Sequence, residues 1–295
     1  MVARVIVAGA VFSAALWAGG VALLWAAEPY LVFMTGNSRS YTAPLDPAIF
    51  RTRSFLNDDG LALNAVYLQH DSSGERYTIL FCQPAGGSTQ VQMIQEHLRS
   101  LFELGYDVFA FDYRGFGANA GTPTEPGLYA DAMAAYDYLI EAQRVPASRI
   151  ILAGRSLGGA VAIDLATRKP SAGLLLFSPI DSVPSVAAQI YPWAPARRLA
   201  QNQFNSVAKA TTIDIPVLQF SGWPDSMMPR ADARVLFDQF RGPKRFVITG
   251  GGHHHSGFTD RAGLSRGLKM FWPVEARSYQ NTFFKPIAFF RLIVQ

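Results

Sequence analysis

Cysteine is nearly absent: Cys82 stands alone among 295 residues. No intramolecular disulfide can form, and no metal site can be built on paired cysteines. Charge is sparse too, with Asp, Glu, Lys and Arg making up 16% of the chain. The basic residues are scattered, Arg197-Arg198 being the densest pair. A nucleic-acid footprint needs them clustered on one face, so no nucleic-acid partner is expected. Three adjacent histidines, His253-His254-His255, lack a nearby carboxylate or cysteine cluster. Neighbours in a loop rarely all reach one ion, so neither a metal nor any other cofactor is expected.

The length suits one large domain or two small ones. At 49% hydrophobic and 13% aromatic, the chain can bury a large core and is not disordered. The net charge of +4 joins an acidic half to a basic one: residues 1–150 carry 14 acidic and 9 basic side chains, residues 151–295 carry 8 and 17. A weak positive excess of this kind suits an anionic membrane surface.

Val5 to Ala27 carries no charge, between Arg4 and Glu28. About 20 apolar residues cross the hydrocarbon core of a bilayer. A cleavable signal peptide has a shorter apolar run of about 7–15 residues and a small-x-small site. Ala18-Gly19-Gly20 offers such a site and Trp25-Ala26-Ala27 a poor one. The length favours an uncleaved anchor over residues 1–28, a linker over 29–49 and a folded domain over 50–295. Arg4 and the N-terminal amine place the N-terminus inside, with Arg39 as the contrary signal. The domain is then expected on the non-cytoplasmic side. Phe283–Val294, interrupted by Lys285, Pro286 and Arg291, reads as an interfacial or docking helix.

Beyond the anchor, short apolar runs alternate with helical patterns. Strands are expected at Leu61–Leu68, Tyr77–Cys82, Val108–Phe111, Ile150–Ala153, Leu174–Phe177, Val217–Phe220 and Arg245–Ile248. Helices are expected at Val91–Leu104, Leu128–Gln143, Leu157–Arg168 and Arg230–Phe240. The alternation predicts an α/β fold with a mostly parallel sheet covered on both faces. Residues 179–210, with Pro179, Pro184, Pro192 and Pro195, break the rhythm and read as a cap insertion.

Gly154-Arg155-Ser156-Leu157-Gly158 matches Gly-x-Ser-x-Gly between a strand and a helix. The turn is so tight that the serine is strained and a Cβ on its neighbours would clash. It lifts the hydroxyl above the sheet at the N-terminus of a helix. A serine hydroxyl needs a base, oriented by a carboxylate. In the order Ser…Asp…His, Asp225 follows one strand and the three histidines follow the last. Asp181 is a rival acid, more simply a cap of the inserted segment. His70 reads as a surface residue and His97 as a helix-face residue. An oxyanion needs two amide donors. Leu157, directly after the serine, is one. The loop Gln83-Pro84-Ala85-Gly86-Gly87-Ser88 supplies the other. Pro84 has no N–H, which leaves Ala85. Cys82 reads as core packing.

Two further stretches are Phe111-Asp112-Tyr113-Arg114-Gly115-Phe116-Gly117 and Gly121-Thr122-Pro123-Thr124-Glu125-Pro126-Gly127-Leu128-Tyr129-Ala130-Asp131. With the serine turn and the two loops, they make residues 50–258 resemble the alpha/beta-hydrolase superfamily, most of all its membrane-anchored, single-span serine hydrolases. The resemblance implies Ser156 as nucleophile, Asp225 as acid and His253 as base, with His254 as the alternative. It departs from the family pattern in two places: Gln83-Pro84 stands where His-Gly is usual, and His254-His255 where Asn-Asp often follows the base. The expected function is hydrolysis of an acyl ester or thioester, on a lipid-like substrate near a bilayer. A non-catalytic tethered module of the same fold and an acyltransferase using the same residues are the alternatives.

Overall fold

In the computed structural model, which describes residues 2–37, 42–71 and 76–274, five strands are buried at every residue. They are β3 (Thr78–Cys82), β4 (Asp107–Phe111), β5 (Ile150–Arg155), β6 (Gly173–Phe177) and β7 (Val217–Gly222). Strands that hide both faces must lie between two layers. They form the centre of an eight-stranded sheet with β1 (Arg51–Leu56), β2 (Ala62–Leu68) and β8 (Lys244–Thr249), in the order β1-β2-β4-β3-β5-β6-β7-β8. β2 runs antiparallel to both β1 and β4; every other pair is parallel.

Side chains alternate across each strand, so each strand feeds two cores. Leu80, Phe109, Leu152 and Leu174 pack with helices α3 (Glu125–Glu141) and α4 (Leu157–Ala166). Ile79, Phe81, Val108 and Ile151 pack on the other face with α2 (Gln92–Glu103) and α10 (Arg261–Phe271). Local signals explain the helix starts. Thr124 Oγ1 accepts from the Gly127 amide ahead of α3, with proline in the first turn. Between β6 and β7 the chain makes three short helices, α5 (Val183–Ile190), α6 (Ala196–Leu199) and α7 (Ser206–Ala210). α8 (Arg230–Gln239) and α9 (Gly252–His255) complete the set described.

The structure departs from the sequence expectations in several places. β1 is an added edge strand. Its sequence, RTRSFL, opens with four polar residues and has only Phe55 and Leu56 as apolar ones, too few to stand out. α10 also lay unpredicted. α1 spans Val2–Phe33 and so continues into the segment expected as a linker. It does so through Pro29, which has no N–H to give the Trp25 carbonyl. Gln201 Nε2 donates to that carbonyl at 2.7 Å instead. His70 is not a free surface residue: it is half-buried, stacks on Phe102 and sits 2.8 Å from Asp107 Oδ1. The predicted C-terminal helix at 283–294 lies outside the described residues.

Candidate active site

The order β4-β3-β5 reverses direction at β3, and the loops leaving β3 and β5 diverge there. Open α/β sheets bind ligands in that crevice, beyond the carboxyl ends of the strands. Ser156 stands directly after β5 with φ 52° and ψ −120°, a conformation disfavoured for a residue with a Cβ. The surrounding glycines make this turn possible. A Cβ on Gly154 would strike the Gly158 carbonyl, and one on Gly158 would strike the carbonyls of Cys82 and Gln83. Gly158 thus lets the start of α4 press against the end of β3. Leu157 and Ala85 accordingly border the same cavity as Ser156.

Asp225 follows β7, and its Oδ1 accepts from the Met227 and Met228 amides at 3.0 and 2.8 Å. His253 lies on α9 after Gly251 and Gly252, both left-handed at φ 89° and 58°. A Cβ on Gly222, at the end of β7, would overlap the Gly252 carbonyl. The glycine run thus brings the histidine loop onto the loop carrying Asp225. His253 Nδ1 lies 3.1 and 3.0 Å from the two Asp225 carboxylate oxygens. A carboxylate only accepts, so Nδ1 carries the proton and Nε2 is left to accept. That Nε2 is 2.9 Å from Ser156 Oγ. Burial raises the Asp225 pKa, but the hydrogen bond and attraction from His253, with the Met228 amide, outweigh it and hold the carboxyl below its ordinary range.

The other sequence candidates fall elsewhere. His254 turns to Arg155, whose Nη1 is 3.3 Å from His254 Nδ1. His255 Nδ1 is 3.4 Å from His97 Nε2. Asp181 Oδ1 accepts from the Ser182 amide, and its carbonyl from that of Ser206, at the start of the inserted helices. Among the described residues no group of three or more His, Cys, Asp or Glu could hold a metal ion.

Sequence reasoning missed two sets of residues. Arg155, the variable position of the serine motif, is 3% exposed. Its Nη1 donates to the carbonyls of His254 at 3.1 Å and His253 at 3.4 Å. Burial lowers its pKa to about 10. An arginine inside an otherwise apolar strand and turn was the available signal. The second set is on α1: Val21, Leu24 and Leu31 border the cavity beside Ser156. Nothing in the sequence ties an apolar N-terminal helix to a serine 125–135 residues away.

The cavity measures about 330 Å³. Its walls come from α1, from the inserted α5 and α6, and from the loops after β3, β5 and β7.

The family model described as serine aminopeptidase, S33, matches residues 75–208. The uncharacterized protein Rv2307c of Mycobacterium tuberculosis is 34% identical over 259 residues, covering 87% of this chain and 92% of that one. The alpha/beta hydrolase domain-containing protein WAV2 of Arabidopsis thaliana is 30% identical over 241 residues, covering 74% and 77%. Among solved structures, the Pyrococcus furiosus esterase Pf2001 superposes with a TM-score of 0.65 at 18% identity, covering 78% of this chain and 95% of that one. Est1E from Butyrivibrio proteoclasticus, with ferulic acid bound, gives 0.61 at 19% identity, covering 74% and 97%. At these identities the superpositions speak for the fold alone.

Proposed function

Since the chain belongs to the alpha/beta-hydrolase family, we propose that it is a serine hydrolase cleaving carboxylic esters or thioesters through Ser156, His253 and Asp225. The observation that carries this reading is the 2.9 Å separation of Ser156 Oγ and His253 Nε2, with the other ring nitrogen 3.0 Å from the Asp225 carboxylate. As Oγ attacks the acyl carbon, its proton passes to Nε2 and Asp225 stabilises the imidazolium that forms. The carbonyl oxygen becomes an oxyanion facing the Leu157 and Ala85 amides. The tetrahedral intermediate collapses, and the alcohol or thiol leaves with the proton from Nε2. Water, deprotonated by the same nitrogen, then frees the acid from the acyl-serine.

In the same reading α1 is an uncleaved anchor. It is long and apolar enough to cross a membrane. The positive N-terminal end supports a domain on the non-cytoplasmic side.

The test is labelling by a fluorophosphonate probe together with turnover of p-nitrophenyl butanoate. Ser156→Ala is expected to abolish labelling and to cut turnover by a factor of ~10⁴ or more. His253→Asn should do nearly the same, while His254→Asn retains activity within about tenfold. Folded wild type that neither labels nor turns over any ester would instead support a tethered, non-catalytic module. Loss of turnover in His254→Asn alone would move the base by one residue.

A further inference from the structure

Residues 4–19 of α1 are exposed throughout, and beyond Gly19 one stripe of the helix turns against the domain. Val21, Leu24, Leu31 and Val32 on that stripe border the cavity that Ser156 also borders. Val186, Ala187 and Ile190 of α5 border the same cavity. The helix is fastened there by polar contacts as well as packing. Glu28 accepts from the backbone amides of Gln201 and Asn202 at 2.7 and 2.8 Å. The Phe33 carbonyl accepts from the Gly86 amide at 2.9 Å, next to Ala85. One contact thus joins α1 to the loop assigned to the oxyanion.

The chemistry of the walls selects the occupant. They are apolar almost throughout. The one carboxylate among them, Glu28, already accepts both backbone amides and Asn202 Nδ2, so it is not an anchor for a cationic headgroup. An apolar cavity of about 330 Å³ beside a serine hydroxyl suits a hydrocarbon tail.

Depth relates the cavity to the lipid. Residues 4–19 extend roughly 24 Å at ~1.5 Å per residue, short of the ~30 Å hydrocarbon core. A full span therefore runs on to about Leu24, level with the cavity. Beside α1 the cap exposes Ile190, Trp193 and Leu199 along with Arg197 and Arg198, the Trp193 ring lying against Gly20. Trp17 Nε1 donates to the Trp193 carbonyl at 3.0 Å, which ties the cap to the anchor. Exposed aromatics and basic residues beside an apolar helix are the composition of a bilayer interface.

We propose that the C-terminal half of α1 is a wall of the active site, and that the acyl chain of a membrane lipid ester enters the cavity from the leaflet, between α1 and α5. This rests on Ser156 being the group acylated. The anchor then selects substrate as well as holding the enzyme on the membrane.

The test uses the full chain in lipid nanodiscs. The ratio of kcat/KM for p-nitrophenyl decanoate to that for the butanoate is measured in wild type, Leu24→Trp and Leu23→Trp. Leu23 is on the exposed side of the same turn. A filled cavity should lower the ratio at least tenfold in Leu24→Trp, since burying each methylene is worth about fourfold. Leu23→Trp should leave the ratio within twofold of wild type. Should Leu24→Trp fail to take the fluorophosphonate label, Val21→Phe replaces it with the same expectation. In a second arm, a long-chain fluorogenic ester is placed in the enzyme's own discs or in separate discs. Turnover confined to shared discs supports access from the leaflet; equal turnover in both overturns it. Labelled, active protein whose ratio ignores Leu24→Trp and Val21→Phe overturns the wall. Absence of labelling and turnover in wild type would instead overturn the hydrolase reading itself.

Discussion

Arg155 couples the serine turn to the histidine loop. Its Nη1 holds the backbone carbonyls of His253 and His254, and its position in the chain places it next to Ser156. The same guanidinium therefore holds the peptide that carries the proposed base, His253. A displacement of about 1 Å at a reacting group costs about a hundredfold in rate. Arg155→Met is expected to lower kcat ten- to a hundredfold with little change in KM for the butanoate ester, because the arginine is not among the residues bordering the cavity. Arg155→Lys, which can still donate to one carbonyl, should recover part of the loss. A proportional fall in the amount of folded, labelled enzyme with unchanged kcat per labelled site would mean that Arg155 supports folding alone.

At the scale of elements, the two family-like stretches have separable tasks. Asp131, buried in α3, holds the Arg114 amide and guanidinium and the Asn57 side chain. It pins the turn after β4 to α3 and to the end of β1. Asp112, at the end of β4, accepts from Ser88 Oγ, the Thr89 amide and Thr89 Oγ1. It thereby holds the far end of the loop that carries Ala85. Burial raises its pKa to about 6 against the lowering effect of those bonds. A carboxyl raised above its unfolded value of about 3.9 favours the fold most below that pH, and the benefit is lost as pH rises through about 6. The stability of wild type relative to Asp112→Asn should therefore fall between pH 4 and pH 7, by up to about 3 kcal/mol. Urea midpoints at four pH values read this directly. A flat difference would mean that Asp112 is ionised throughout. The amide keeps the acceptor for Thr89 N, and both hydroxyls can reverse to accept from it.

For the whole molecule, α1 and the domain are a single packed unit from Gly20 onward. Phe33 meets Phe204 edge to face at a centroid distance of 6.3 Å, and Glu28 is 9% exposed. The expected behaviour is retention in the membrane pellet after alkaline carbonate extraction. Deletion of residues 2–19 should release a protein that still labels with fluorophosphonate, since the docked half of α1 remains. Full release of the undeleted chain by carbonate would instead point to cleavage near Gly20.

The sheet and the serine turn were legible in the sequence because both are local. Short apolar runs encode buried strands, and Gly-x-Ser-x-Gly encodes a backbone bend that its own neighbours permit. The edge strand β1 was not, because four of its six residues are polar and only Phe55 is buried. The order Ser, Asp, His was readable along the chain, and the resemblance pointed to His253 with His254 as the alternative, but only the tertiary structure decides which of them comes within 2.9 Å of the serine. That depends on two left-handed glycines and on the close approach of Gly222 to Gly252. In the same way, an uncharged N-terminal run determined by composition that one helix is long and apolar enough to cross a membrane. Only the packing of its last turns on the inserted helices decided that it also borders the cavity. Composition acts through solvent preference, which any single stretch of chain expresses by itself. Side chains far apart in sequence become neighbours only once the sheet has put their loops on one edge.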